Sequence, residues 1–215
     1  MKIVDVKTAV VAYHGKATLV RIDSDDGLSG YGEANPDAGA AAIVSLISEL
    51  KAELIGEDPR NVEHCWEKLR RLHVFSGSQA GENLYLRWGF RELLQKQAAD
   101  VVMPDVPKCG GLAESKKIAN LAEIYYIPFA PHLVSTPLGT MATCHTCAAV
   151  PNFLVLEWHA LDERDVWDSY VIAPDDSGSI VKDGHITLPD APGIGVDLNM
   201  ESVRRHAAPG FGVFE

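Results

Sequence analysis

Three short apolar runs decide the fold: Asp100-Val101-Val102-Met103-Pro104 leading into Asp105, Ile127-Pro128-Phe129-Ala130-Pro131 leading into His132, and Phe153-Leu154-Val155-Leu156 leading into Glu157. Each ends on an acidic or imidazole side chain. With Glu82 upstream, these polar residues are separated by 23, 27 and 25 positions. That interval is the length of one βα unit, and helical patterns fill the gaps near Trp88 to Ala98, Gly111 to Tyr125 and Pro137 to Val150. Strands alternating with helices favour a parallel sheet covered by those helices, with the C-terminal ends of all strands on one rim. Glu82, Asp105, His132 and Glu157 are therefore expected to share one mouth, where barrels and doubly wound sheets place their chemistry.

Upstream of this section, Lys2 to Tyr13, Thr18 to Asp23 and Ser29 to Glu33 read as an antiparallel meander with a turn at Asp25-Asp26-Gly27. Ala38 to Leu54 has helical spacing. A second helix is expected from Asp58-Pro59, with Asp58 as its cap and Val62, Cys65, Trp66, Leu69 and Leu72 on one face. The small, polar stretch Ser76 to Gly81 reads as a boundary. Downstream, Leu161 to Tyr170 is mixed, Ile180-Val181 with His185 to Leu188 suggests a hairpin, and Met200 to His206 is at most a short helix. The expected organisation is an α+β domain over 1–80, rejoined by a C-terminal return from about 186 to 215, and a βα domain over 81–185.

The 215 residues carry a net charge of −11 and are 47% hydrophobic. No basic cluster offsets that charge, so nucleic acid and anionic membranes are poor partners, and small-molecule chemistry is expected. The opening Met1-Lys2-Ile3-Val4-Asp5-Val6 has no apolar signal core, and no run of 18 apolar residues follows, which points to the cytoplasm. Four cysteines in this length do not form a disulfide framework. Cys144-His145-Thr146-Cys147 falls in a helical stretch with no second pair and reads as core packing, as do His64 and His73.

Taken singly, Glu82 reads as a solvated loop acid and Asp105 as a turn or capping aspartate. Glu82 is also a plausible ligand for magnesium, which prefers carboxylate oxygens. His132 is more telling. An unperturbed imidazole titrates at about 6.5, so a rim histidine can exchange a proton at working pH, and an aspartate on the neighbouring strand end would fix its tautomer. Glu157 ends a buried run and must be paired, metal-bound or protonated. Lys108 reads as a solvated loop lysine or as a contact for an anionic substrate.

These residues together resemble the enolase superfamily, in its mandelate racemase and acid-sugar dehydratase branch. Val4 to Glu33 and Ile55-Gly56-Glu57-Asp58-Pro59 look like the capping domain, and Pro192 to Val196 like the return to it. Gly81-Glu82-Asn83, Pro104-Asp105 through Gly111, Ala130-Pro131-His132 and Leu156-Glu157-Trp158 match motifs at the ends of the fifth to eighth barrel strands. The resemblance implies an α+β capping domain followed by an incomplete α/β (TIM-like) barrel of roughly the last three to four βα units.

It also implies that Glu82 is the third Mg2+ ligand and that His132 and Asp105 form an acid/base dyad. Glu157 would hydrogen-bond the substrate carboxylate, with Lys108 and His159 on the substrate side. The implied chemistry is proton abstraction next to a carboxylate, through an enediolate, with loss of a β-hydroxyl in a dehydratase and proton return in a racemase or epimerase. The implied partner is a sugar acid or hydroxy acid carboxylate.

The chain departs from the family in length. A full barrel takes about 250 residues, and only 135 run from Gly81 to Glu215. The first four strands, most of the fifth, the second-strand lysine and two metal carboxylates have no counterpart here, as if deleted at Ala80 to Glu82. The magnesium site should therefore be incomplete and the chain alone inactive, a fragment or binding module. The open half-barrel should expose an edge prone to aggregation or to homo-oligomer formation.

Overall fold

A computed structural model describes residues 1–12, 15–34, 39–72, 81–159, 163–175 and 178–214. The expected boundary stretch 76–80, the junction at Ala80, His73 and Leu161 lie outside these. The chain divides into one unit of Met1–Gly77 with Glu201–Glu215 and another of Ser78–Met200.

In the first unit, β1 (Ile3–Val11), β2 (Ala17–Ser24) and β3 (Ser29–Ala34) form the antiparallel meander, with Val6 opposite Ile22 and Val20 opposite Gly32. Helix α1 (Ala40–Leu54) lies on this sheet. Its Ile47 and Leu54 pack with Ile3, Val6, Val20 and Ile22, and with Cys65 and Leu69 of α2 (Val62–Leu72). Helix α2 starts three residues later than the Asp58-Pro59 signal implies. Asp58 does not cap it, because its Oδ1 accepts the N–H of Arg60 and its carboxylate is forked by the Arg60 guanidinium, closing a turn over 58–61. Val62 of the expected apolar face is exposed.

The second unit contains the parallel arrangement, in reduced form. After a single 3-10 turn at Gly81–Asn83 come α3 (Leu86–Gln95), α4 (Val106–Cys109), α5 (Gly111–Ile124) and α6 (Pro137–Ala148). The three apolar runs lie side by side in the order 102, 129, 153, joined by the parallel bridges Val102–Phe129, Asp105–His132 and Phe129–Phe153. They do not lengthen into ladders. Pro104, Pro128, Pro131 and Pro151 have no N–H to donate, so pairing is confined to the residues between them. Phe90, Leu94, Val102, Ile118, Ala122, Ile127 and Phe129 bury a common core between these segments and α3 and α5.

The outer run does not meet the expectation of a buried strand. Phe153, Leu154 and Val155 are 41%, 58% and 56% exposed. Their backbone bonds go inward, from Leu154 N–H to the Phe129 carbonyl and from Glu157 N–H to that of Pro131, and among the described residues no further strand covers the other side. No closed barrel is formed by the described residues.

Between α4 and α5, Gly110 adopts φ +120°, and a Cβ there would lie 2.9 Å from Leu86 Cδ2 and 3.0 Å from Glu114 Cβ, so only glycine fits. Helix α7 (Arg164–Ser169) replaces the mixed stretch, and its Trp167 indole donates to the Ser135 carbonyl. The hairpin expected at 180–188 contracts to one antiparallel bridge, Lys182–His185, across Asp183-Gly184. The two-stranded pairing that does form joins β4 (Val171–Ile172) to β5 (Asp197–Leu198).

Residues 186–200 stay with the second unit, so the C-terminal return begins at Glu201, within α8 (Met200–Arg205), and not near 186. It bonds along β1 through the antiparallel bridges Val11–Ala207 and Ala9–Val213. Burial pushes the Cys144 thiol up to about 11 and that of Cys147 to about 12, an environment suited to packing and not to thiolate chemistry.

Candidate active site

The end of the first apolar run and the start of α4 build the acid of the site. Asp105 caps α4: its Oδ1 accepts the Lys108 N–H at 3.1 Å, and its carbonyl accepts that of Cys109. This fixes the carboxylate while its other oxygen, Oδ2, meets His132 Nδ1 at 2.8 Å. The two residues are partners in a parallel bridge, so the sheet register itself sets the contact. Asp105 is 1% exposed. Burial raises its carboxyl above the ordinary 3.8, against the opposing pull of the His132 hydrogen bond and the Lys108 charge.

The far nitrogen of the ring is also occupied. His132 Nε2 lies 3.0 Å from Oε2 of Glu82, which the 3-10 turn Gly81–Asn83 carries to this point. Asp105, His132 and Glu82 thus form a continuous line of carboxylate, imidazole and carboxylate. Lys108, read as a solvated loop lysine or as a contact for an anionic substrate, has a side chain only 15% exposed, and its ammonium lies 3.6 Å from Asp105 Oδ2.

Glu157 comes to the same end of the sheet through its N–H bond to Pro131, beside His132. Its Oε2 is buried without a hydrogen-bond partner among the described residues. His159 is exposed. The structure therefore links Glu82 to His132, His132 to Asp105 and Asp105 to Lys108 in one line, with Glu157 at the same end of the sheet.

One buried charge was missed from sequence. Glu114, in the first turn of α5, is 2% exposed; it accepts the Arg87 N–H at 2.8 Å at the start of α3 and meets the Arg87 guanidinium at 3.2 Å. The only signal is an acid in a helix's first turn, which normally reads as a favourable dipole contact facing water.

The raised Asp105 carboxyl has a defined consequence for stability. A group that binds its proton more tightly when folded contributes stability fully below its unfolded value, and that contribution is lost as pH rises through the folded one. The shifted carboxyls of Asp5, Asp23, Asp26, Glu57 and Glu92 are lowered and lose stability as pH falls. Asp105→Asn cannot titrate. Whatever its constant offset, it should gain on the wild type as pH rises from 3.8 toward neutrality. Urea midpoints that stay parallel across that window would contradict the burial argument.

A family model described as Enolase C-terminal domain-like matches residues 23–203. The chain belongs to the enolase superfamily. Its relatives include a D-xylonate dehydratase of Haloferax volcanii, 40% identical over 160 residues, covering 74% of this chain and 38% of that protein. A D-galactonate dehydratase of Xanthomonas euvesicatoria pv. vesicatoria is 30% identical over 213 residues, covering 95% of this chain and 55% of that one. Among solved structures, a mandelate racemase/muconate lactonizing enzyme-like protein from Rubrobacter xylanophilus superposes with a TM-score of 0.92 at 27% identity, covering 100% of this chain and 99% of that chain. The chain spans about half or less of the length of these curated dehydratases.

Membership of the enolase superfamily generally implies a magnesium ion. The residues present do not fit one. Among the described residues no group of three or more His, Cys, Asp or Glu side chains is placed to hold a metal. Glu82, the carboxylate expected as a ligand, is spent on His132. One carboxylate replaces too little of the hydration shell that magnesium gives up reluctantly.

Proposed function

We propose that this chain carries the proton-transfer half of an acid-sugar dehydratase site and does not turn over by itself. The observation that supports the reading is the 2.8 Å contact of Asp105 with His132 across neighbouring parallel segments. Asp105 holds the imidazole with its proton on Nδ1, which leaves Nε2 as the atom that exchanges a proton with a substrate. In the dehydratase reaction the α C–H bond breaks, its electron pair enters the enediolate, and the β C–O bond then breaks with a proton delivered to the departing hydroxyl. His132 can supply or accept a proton in this sequence, and Glu157, if neutral, can donate a hydrogen bond to the developing charge. In this reading the Lys108 ammonium, directed at Asp105, does not answer that charge.

The substrate class is an aldonic or aldaric acid, in keeping with the dehydratases among the relatives. Racemisation or epimerisation would use the same proton-transfer step with the proton returned to carbon. The reading extends to a cytoplasmic setting and to the first unit as the superfamily's capping module. No helix among the described residues is long and apolar enough to cross a membrane.

The test is magnesium-dependent formation of 2-keto-3-deoxy acids from a panel of aldonates and aldarates by an intact-length relative. Changing the histidine aligned with His132 to asparagine should lower turnover by about 10²–10⁴, the usual worth of an acid/base group. Unchanged turnover would remove the assignment.

A further inference from the structure

We propose that Glu82 is a latch on His132: its carboxylate closes over the one ring nitrogen that Asp105 leaves free and shuts the dyad against substrate. An imidazole has two nitrogens, and both are taken here, Nδ1 by Asp105 at 2.8 Å and Nε2 by Glu82 at 3.0 Å. The inference rests on the reading of His132 as the proton-transfer residue. A group that must meet a substrate proton within hydrogen-bond reach cannot do so while a carboxylate fills that position. The latch also places a negative charge where an anionic sugar acid would have to approach, adding repulsion to the steric block.

Glu82 is free to play this part because the described residues offer it no metal cluster to join. Its position suits a movable element. It sits on one 3-10 turn, three residues long, with its side chain 46% exposed, whereas Asp105 is buried and fixed by the α4 cap. The line is thus rigid at one end and open to water at the other. The misfit with magnesium and the block on His132 become one fact: the same carboxylate that a complete site would spend on the metal is turned inward onto the acid/base residue.

The experiment is acylation of histidines by diethyl pyrocarbonate at pH 7, followed residue by residue with peptide mass spectrometry on the whole chain. Removing the latch with Glu82→Ala should speed modification of His132 by about five-fold, the size a half-exposed ion pair supports. Glu82→Ser, too short to reach Nε2, should give the same acceleration. Glu82→Gln keeps an amide that can donate to a bare Nε2 or accept from a protonated one, and should stay within about two-fold of the wild type.

His145 provides the internal reference, since its Nε2 is held by the Ile194 carbonyl at 3.1 Å in the same unit and should not change. An unchanged rate at His132 in the alanine and serine variants overturns the latch. Parallel acceleration at His145 also overturns it, because the unit would then have loosened as a whole. Neither result touches the dyad reading, which stands or falls on turnover in the intact-length relative.

Discussion

Phe129→Ala is expected to lower the stability of the second unit by about 3–5 kcal/mol, the range for emptying a large aromatic site in a closed core. Phe129 is fully buried and belongs to the middle one of the three parallel segments. Its N–H donates to the Asn152 carbonyl and its carbonyl accepts from Leu154, while Ala130 bonds back to Val102. The ring therefore fills the space between α3, α5 and a backbone already fixed on both sides, which limits collapse into the cavity. Leu154→Ala, at a site 58% exposed on the outer run, should change stability by less than about 0.5 kcal/mol. Urea unfolding followed by tryptophan fluorescence reads this unit well, since Trp88, Trp158 and Trp167 lie in it. Equal small losses for both variants would mean that the three segments do not form a packed core.

Glu114→Ala should be the second large loss, about 3 kcal/mol. The substitution removes the acceptor for the Arg87 N–H at the start of α3, strips the guanidinium of its buried partner, and leaves a cavity at a position 2% exposed. The expected value is at the lower end for a broken buried pair because the Arg87 side chain is itself 32% exposed and can recover water. Glu114→Gln should lose less, as the amide oxygen still accepts from Arg87. A loss below about 1 kcal/mol for the alanine variant would place Glu114 among ordinary surface pairs.

These residues also show what the sequence could and could not disclose. The meander, α1, α5, α6 and the parallel order of three apolar runs were legible because each rests on a local signal: alternation, helical spacing, or an apolar run bounded by turns. The contact of Asp105 with His132 followed from the spacing of the runs, since residues at equivalent strand ends meet once the segments pair in register.

What could not be read were choices between competing partners. Asp58 was equally able to cap a helix or close a turn, and the guanidinium of Arg60 two residues on decided it. Glu82 read alone as a solvated loop acid and, by family likeness, as a metal ligand; in the folded chain its Oε2 lies 3.0 Å from His132 Nε2. The exposed run at 153–155 is apolar because its pattern is that of an interior strand, yet the described residues provide nothing to cover it. Burial of that run depends on a neighbour, and a neighbour is not encoded in the run itself.

Among the described residues the contact of Asp105 with His132, the proposed acid/base pair, is formed, while no cluster of three metal-ligating side chains is. Titration of magnesium into this chain by calorimetry tests the latter directly. No saturable binding in the micromolar range is expected, because Glu82 lies on His132 and no cluster of three ligating side chains forms among the described residues. Micromolar binding, abolished by Glu82→Gln, would contradict it and restore the carboxylate to a working metal centre.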